Sequence, residues 1–97
     1  MASKDTIVMI SALSDETRLK IFETVAECAR SDRKVSEILG TDLEKVRAEA
    51  AILEKSGLIT IVDEGDYSDY VVDPKKVAEL TGFFELMLNK CTPPKCC

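Results

Sequence analysis

Apolar residues at helical spacing, glycines that close two helices, and two β-branched segments around an acidic turn predict a mostly α fold with a small β-hairpin. The expected order, α-α-α-α-β-β-α, is a winged helix-turn-helix. Two segments carry most of this reading. Leu13 to Phe22, LSDETRLKIF, is a helix entry with an apolar stripe, and Leu53 to Ile59, LEKSGLI, is a helix that stops at a glycine and turns into a strand.

Lys4 to Leu13 form a short first helix with Ile7, Val8, Ile10 and Ala12 apolar, too greasy to stay wet on every side. Ser14 is placed to cap the second helix, with Asp15 and Glu16 in its first turn, where carboxylates suit the helix dipole. Leu19, Phe22, Val25, Ala26 and Ala29 then follow helical spacing. Arg30 sits near the end, where a cation is favoured, and Ser31-Asp32 breaks the run. The third helix spans roughly Arg33 to Leu39, with Val35, Ile38 and Leu39 expected inward and Gly40 ending it. Thr41 and Glu44 have the spacing of a capping box for the fourth helix, whose buried stripe is Leu43, Val46, Ala50 and Leu53. Gly57 closes that helix. A short helix turning tightly into a longer one is the helix-turn-helix pattern.

Leu58 to Val62 and Tyr67 to Val72 read as strands joined through Asp63-Glu64-Gly65-Asp66, which makes the hairpin, or wing. Asp73 caps the last helix and Pro74 takes its first position. Its apolar side is Val77, Leu80, Phe83, Phe84, Met87 and Leu88, and Thr92-Pro93-Pro94 stops it. Residues 1–90 thus form one domain, and 91–97 a cysteine-rich tail.

The chain has 97 residues, 45% of them hydrophobic, enough for one modest core. No apolar run approaches the length of a bilayer span, and the N-terminus lacks the apolar stretch of a secretion signal, so a cytoplasmic protein is expected. There is no histidine, which removes imidazole ligands and histidine bases. With no Gly-rich phosphate loop and no evident nucleophile–base pair, the sequence does not read as an enzyme. The formal net charge is −5, whereas duplex binders usually carry a basic footprint.

With this element order, the LSDETRLKIF segment resembles the arsenical-resistance repressor (ArsR/SmtB) family of bacterial and archaeal metal sensors. Leu13, Asp15, Thr17, Arg18, Leu19, Ile21 and Phe22 carry the opening match. Val35 to Leu39 match the first helix of the helix-turn-helix, and Leu53, Ser56, Gly57, Leu58 and Ile59 match the entry to the wing. The likeness runs from about Ile7 to Leu88. It implies a homodimer joined through the first and last helices and a double-stranded DNA operator. The apolar surface of both terminal helices agrees, being more than one small core would use.

The family's recognition helix carries a small polar residue, an arginine and a histidine where this chain has Arg47, Ala48 and Glu49. Lys45 and Lys55 are the other cations of that helix, opposed by Asp42, Glu44, Glu49 and Glu54. The wing carries Asp63, Glu64, Asp66, Asp69 and Asp73 and no Lys or Arg. Two readings follow. Thr41, Lys45, Arg47, Arg33 and Lys34 supply the phosphate and base contacts, doubled by the dimer. Alternatively, the scaffold is an acidic protein-interaction module that binds DNA weakly or not at all. A local positive spot at Lys45 and Arg47 would favour the first, and a continuous negative face the second.

Cys91, Cys96 and Cys97 lie in the last seven residues. Thiolates favour soft ions such as arsenite, antimonite, cadmium, copper(I) or zinc. Arsenic(III) takes three sulfurs in a pyramid, which this set can supply. Pro93 and Pro94 limit the loop's freedom, and Lys90 and Lys95 favour thiolate over thiol. The expected effector is therefore arsenite or another thiophilic ion, with no organic cofactor. Thiol oxidation, or a tail without function, is the alternative. Cys28, on an apolar helix, is expected to be a small core residue.

Overall fold

A computed structural model describes residues 3–90 of the chain; the Cys91, Cys96 and Cys97 tail lies outside the described residues. The elements are α1 (Lys4–Ala12), α2 (Glu16–Glu27), β1 (Arg30–Ser31), α3 (Asp32–Leu39), α4 (Leu43–Ser56), β2 (Ile59–Asp63), β3 (Ser68–Val72) and α5 (Pro74–Lys90). This is the expected winged helix-turn-helix with one addition. The wing is three-stranded, in the antiparallel order β1-β3-β2. Arg30 faces Tyr70 and Ser31 faces Asp69, so Arg30, read as a cation near the end of the second helix, and Ser31, read as part of the break after it, form a short strand.

The helix starts explain themselves locally. Ser3 accepts from Thr6 N, and Ser31 accepts from Lys34 N. Asp15, not Ser14, caps α2, its carboxylate accepting from Arg18 N at 3.1 Å. Ser14 instead turns its hydroxyl back to the Ser11 carbonyl, where it tightens the exit from α1. The capping box at α4 is absent. Asp42 takes the cap position without a side-chain bond, and Thr41 Oγ1 donates to the Leu39 carbonyl. The Ser36 hydroxyl donates to the Thr41 carbonyl, and Thr41 N donates to the Ser36 carbonyl, so the turn between α3 and α4 is held from within. That turn needs Gly40, whose φ is +61°.

Gly57, at φ +89°, ends α4. A Cβ there would meet the Lys76 side chain at 3.2 Å. Ser56 Oγ both donates to Leu53 O and accepts from Leu58 N, carrying the chain from helix to strand. Asp73 N bonds Leu58 O, and the Asp73 carboxylate accepts from Lys75 N at 3.0 Å, as an N-cap of α5 should.

The core gathers Met9, Ile21, Val25, Val35, Val46, Leu53, Leu58 and Tyr70, drawn from every layer. Burying such side chains contributes roughly 1.5–3 kcal/mol each. Several expected core positions are outside it, among them Ala26 and Ala29, which are exposed, and Leu43, which is half-buried. Ile38, at 46%, and Leu19, at 40%, are exposed, and Cys28 lies exposed at the C-terminal cap of α2 rather than inside. α3 presents Val35 and Leu39, four residues apart, to the core, and Ile38 falls to the side of that pair. On α5 only Leu80 is buried, and Val77 packs against the core. Phe84 and Leu88, at 53% and 72%, face out, as do Ile7, Val8 and Ile10 on α1.

Candidate nucleic-acid interface

In a helix-turn-helix the second helix is the one that enters the major groove, and here that is α4. Its inward stripe, Val46, Ala50 and Leu53, is wholly buried, which fixes its rotation and leaves Lys45, Arg47 and Ala48 outward. The sequence placed Glu49 among the residues opposing DNA. The structure turns it inward. Its carboxylate lies 3.2 Å from Arg18 Nη1, both side chains being less than a fifth exposed. Arg18 Nε also donates to the Ala12 carbonyl at 2.6 Å. One guanidinium on α2 therefore joins the end of α1 to the middle of α4.

The expected DNA-binding residues differ in how free they are. Lys45 is exposed and makes no ion pair among the described residues. Lys34 reaches Glu37 at 3.4 Å on the surface, a contact of little strength. Thr41, half-buried, keeps its hydroxyl on Leu39. Arg33 extends to the wing and donates from Nη2 to the Asp66 carbonyl at 2.9 Å. A cation thus stands at the tip of a hairpin that has none in its own sequence. Arg47 donates from Nε to Asp32 Oδ2 at 2.9 Å.

Asp32 is the residue that sequence reasoning missed. It reads as a helix breaker, yet it is the first residue of α3 and only 1% exposed. Tyr70 lies in the same region of the core, and its phenol is pushed up to about 12, chiefly by burial and then by the Asp32 carboxylate. On the other side of the helix-turn-helix, the Asp15 carboxyl is held below its ordinary range, first by the hydrogen bond from Arg18 N and more weakly by the charges of Arg18 and Lys45. Four exposed cations, Arg33 and Lys34 on α3 and Lys45 and Arg47 on α4, are thus carried by the helix-turn-helix. The wing tip that Arg33 reaches also carries the exposed carboxylates Asp63, Glu64 and Asp66.

Among the described residues no group of His, Cys, Asp and Glu could hold a metal ion. Cys91, Cys96 and Cys97, the expected ligands, lie outside the described residues. No helix among the described residues is long and apolar enough to cross a membrane.

No protein-family model matches this sequence, and comparison with curated proteins gives no match. Comparison of the structure with solved ones does. An ArsR family transcriptional regulator superposes with a TM-score of 0.78 at 15% identity, over 92% of this chain and 94% of that one. An ArsR-like transcriptional regulator from Rhodococcus gives 0.76 at 20% identity, over 89% and 81%. The homodimeric winged helix-turn-helix DNA-binding domain of a possible ArsR-family regulator from Mycobacterium bovis gives 0.70 at 22% identity, over 89% and 80%. The fold and the helix-turn-helix thus define the class: this is a winged helix-turn-helix protein. More particularly, its fold is the one found in ArsR-family transcriptional regulators.

Proposed function

We propose that the protein is a homodimeric, DNA-binding transcriptional regulator of the ArsR type and acts as a repressor. The observation that carries this reading is the orientation of α4. Its apolar stripe is locked into the core, Glu49 is withdrawn onto Arg18, and Lys45 and Arg47 remain on the outer surface. The exposed apolar residues of α1 and α5 support pairing of two copies. A groove of about 320 Å³ beside α1, lined by Ile7, Val8, Ala12 and Ile52, continues that apolar surface onto α4. A dimer would set the spacing of two α4 helices, and that spacing must match successive major grooves.

The test is fluorescence anisotropy with duplex DNA from upstream of the protein's own gene, at several salt concentrations. Affinity should fall with salt, and Lys45→Ala should lower the slope of log affinity against log salt by about 0.9 for each phosphate released. A duplex that is not bound at low salt would overturn the reading. The alternative, an acidic interaction module, is favoured by the carboxylates of the wing, Asp63, Glu64, Asp66 and Asp69, and would give that result.

We further propose that a thiophilic ion, arsenite before others, releases the protein from DNA by binding Cys91, Cys96 and Cys97. The clustering of these thiols in the sequence supports it. The ion must bind the DNA-free state better than the bound one, or no release follows. Arsenite should protect Cys91, Cys96 and Cys97 together from alkylation, and Cys96→Ser should abolish that protection. Unchanged thiol reactivity would refute the effector and leave the DNA reading standing.

A further inference from the structure

We propose that Asp32 is a positioning residue for DNA binding: its buried carboxylate takes Nε of Arg47 and so aims the other edge of that guanidinium at one DNA phosphate per subunit. This inference rests on the DNA-binding reading above and deepens it.

Three observations carry it. First, Asp32 is fixed. Its Oδ2 accepts from Arg47 Nε at 2.9 Å, and its Oδ1 accepts from Arg33 N at 2.7 Å. A carboxylate that is 1% exposed is costly unless paired and hydrogen-bonded, so both bonds are kept. Second, Arg47 is only half committed. Its side chain is 48% exposed, and its η nitrogens donate no hydrogen bond among the described residues. Third, Arg47 stands in the second turn of α4, toward the end of a recognition helix that meets DNA.

The chemistry of the guanidinium connects these facts. It is a rigid planar fork, and occupying Nε leaves the paired η nitrogens, whose spacing suits two oxygens of a phosphate. A lysine has one compact charged head and would have to choose between the carboxylate and the phosphate. Holding the fork in place before binding reduces the side-chain freedom lost on contact. Asp32 also organises its neighbour. The residue whose N–H it accepts, Arg33, runs on to the Asp66 carbonyl at the wing tip. The carboxylate joins α3 to α4, and the Arg33 side chain joins α3 to the wing.

The experiment uses the whole chain and a mixed-sequence duplex, since a phosphate contact needs no operator. Affinity is measured by fluorescence anisotropy across a range of salt for wild type, Asp32→Asn, Arg47→Ala and the double variant. Arg47→Ala should reduce the salt slope by about 0.9 for each phosphate released. Asp32→Asn should weaken binding several-fold in the wild-type background and have no effect once Arg47 is gone. Should Arg47→Ala unfold by stranding Asp32, Arg47→Lys replaces it; binding then weakens, and Asp32→Asn no longer weakens it further, since it frees the lysine from the carboxylate. An unchanged slope in Arg47→Ala, or an Asp32→Asn loss that persists without Arg47, would reduce the pair to a bridge between α3 and α4. Wild-type protein that binds no DNA at low salt would overturn the functional reading itself. Binding with a flat cycle overturns this inference alone.

Discussion

Arg18 on α2 and Glu49 on α4 form an ion pair at 3.2 Å, and the same guanidinium donates to the carbonyl of Ala12 at the end of α1. Residues 31 positions apart in the chain are thus locked together. α1 carries part of the exposed apolar surface and α4 is the second helix of the helix-turn-helix, so the contact couples the proposed dimer seam to the proposed reader.

Glu49→Ala should lower unfolding stability by about 2 kcal/mol, because a largely buried guanidinium loses a charged hydrogen bond. Glu49→Gln, which keeps an acceptor, should cost less. Urea denaturation measures both, and an alanine variant with an unshifted midpoint would contradict the coupling.

Tyr70 gives an alkaline signature. Its folded-state pKa is raised from 10.0 to about 12, by burial first and the Asp32 carboxylate second. Between those values the unfolded chain releases its proton while the folded one keeps it. The stabilisation is therefore complete below pH 10.0 and lost as the pH climbs toward about 12. Tyr70→Phe should flatten this decline in melting temperature. A decline of the same steepness in the variant would assign it elsewhere.

Asp15 gives the acid counterpart. Its pKa is depressed, chiefly by the hydrogen bond from Arg18 N, so its contribution is present above the ordinary carboxylate range. It is lost as the pH falls through the folded-state value. Asp15→Asn keeps an oxygen acceptor at the cap and should remove this part of the acid-side slope in a thermal melt. Nuclear magnetic resonance titration of the Asp15 carboxyl should find its midpoint below that of a model peptide.

Phe84 and Leu88 are exposed in the single chain, so polar replacements there should not harm the fold. Phe84→Ser with Leu88→Ser should instead weaken self-association, seen as a lower sedimentation coefficient at a given concentration. A pair of variants that melt early yet sediment unchanged would place these residues in the monomer core.

Most of the fold was legible because period and punctuation agree. Of the expected α4 stripe, Val46, Ala50 and Leu53 are buried and Leu43 only half so, and the helix-ending glycines Gly40 and Gly57, both of positive φ, were read correctly from residue type. The errors lie where neighbouring residues compete for one local role. Ser14 and Asp15 are both good caps, and only the geometry after Leu13 selects Asp15. Thr41 has capping-box spacing, but the tight turn turns its hydroxyl to Leu39. β1 is too short to show a strand period and exists because β3 lies beside it. The cations Arg33, Lys34, Lys45 and Arg47 were legible as exposed charge, and the partners of Arg47 and Arg33 were not. Asp32 with Arg47, and Arg18 with Glu49, are pairings between separate helices that no local pattern shows: Asp32 read as a helix break, Arg47 as a DNA contact and Glu49 as a carboxylate opposing DNA.

The most direct measurement is the mass of the protein–DNA complex by analytical ultracentrifugation, using a duplex from upstream of the protein's own gene at low salt. The expected result is two copies of the chain on one duplex site, with the same pairing present before DNA is added. A chain that stays monomeric, or a dimer that leaves the duplex sedimenting alone, would contradict the account.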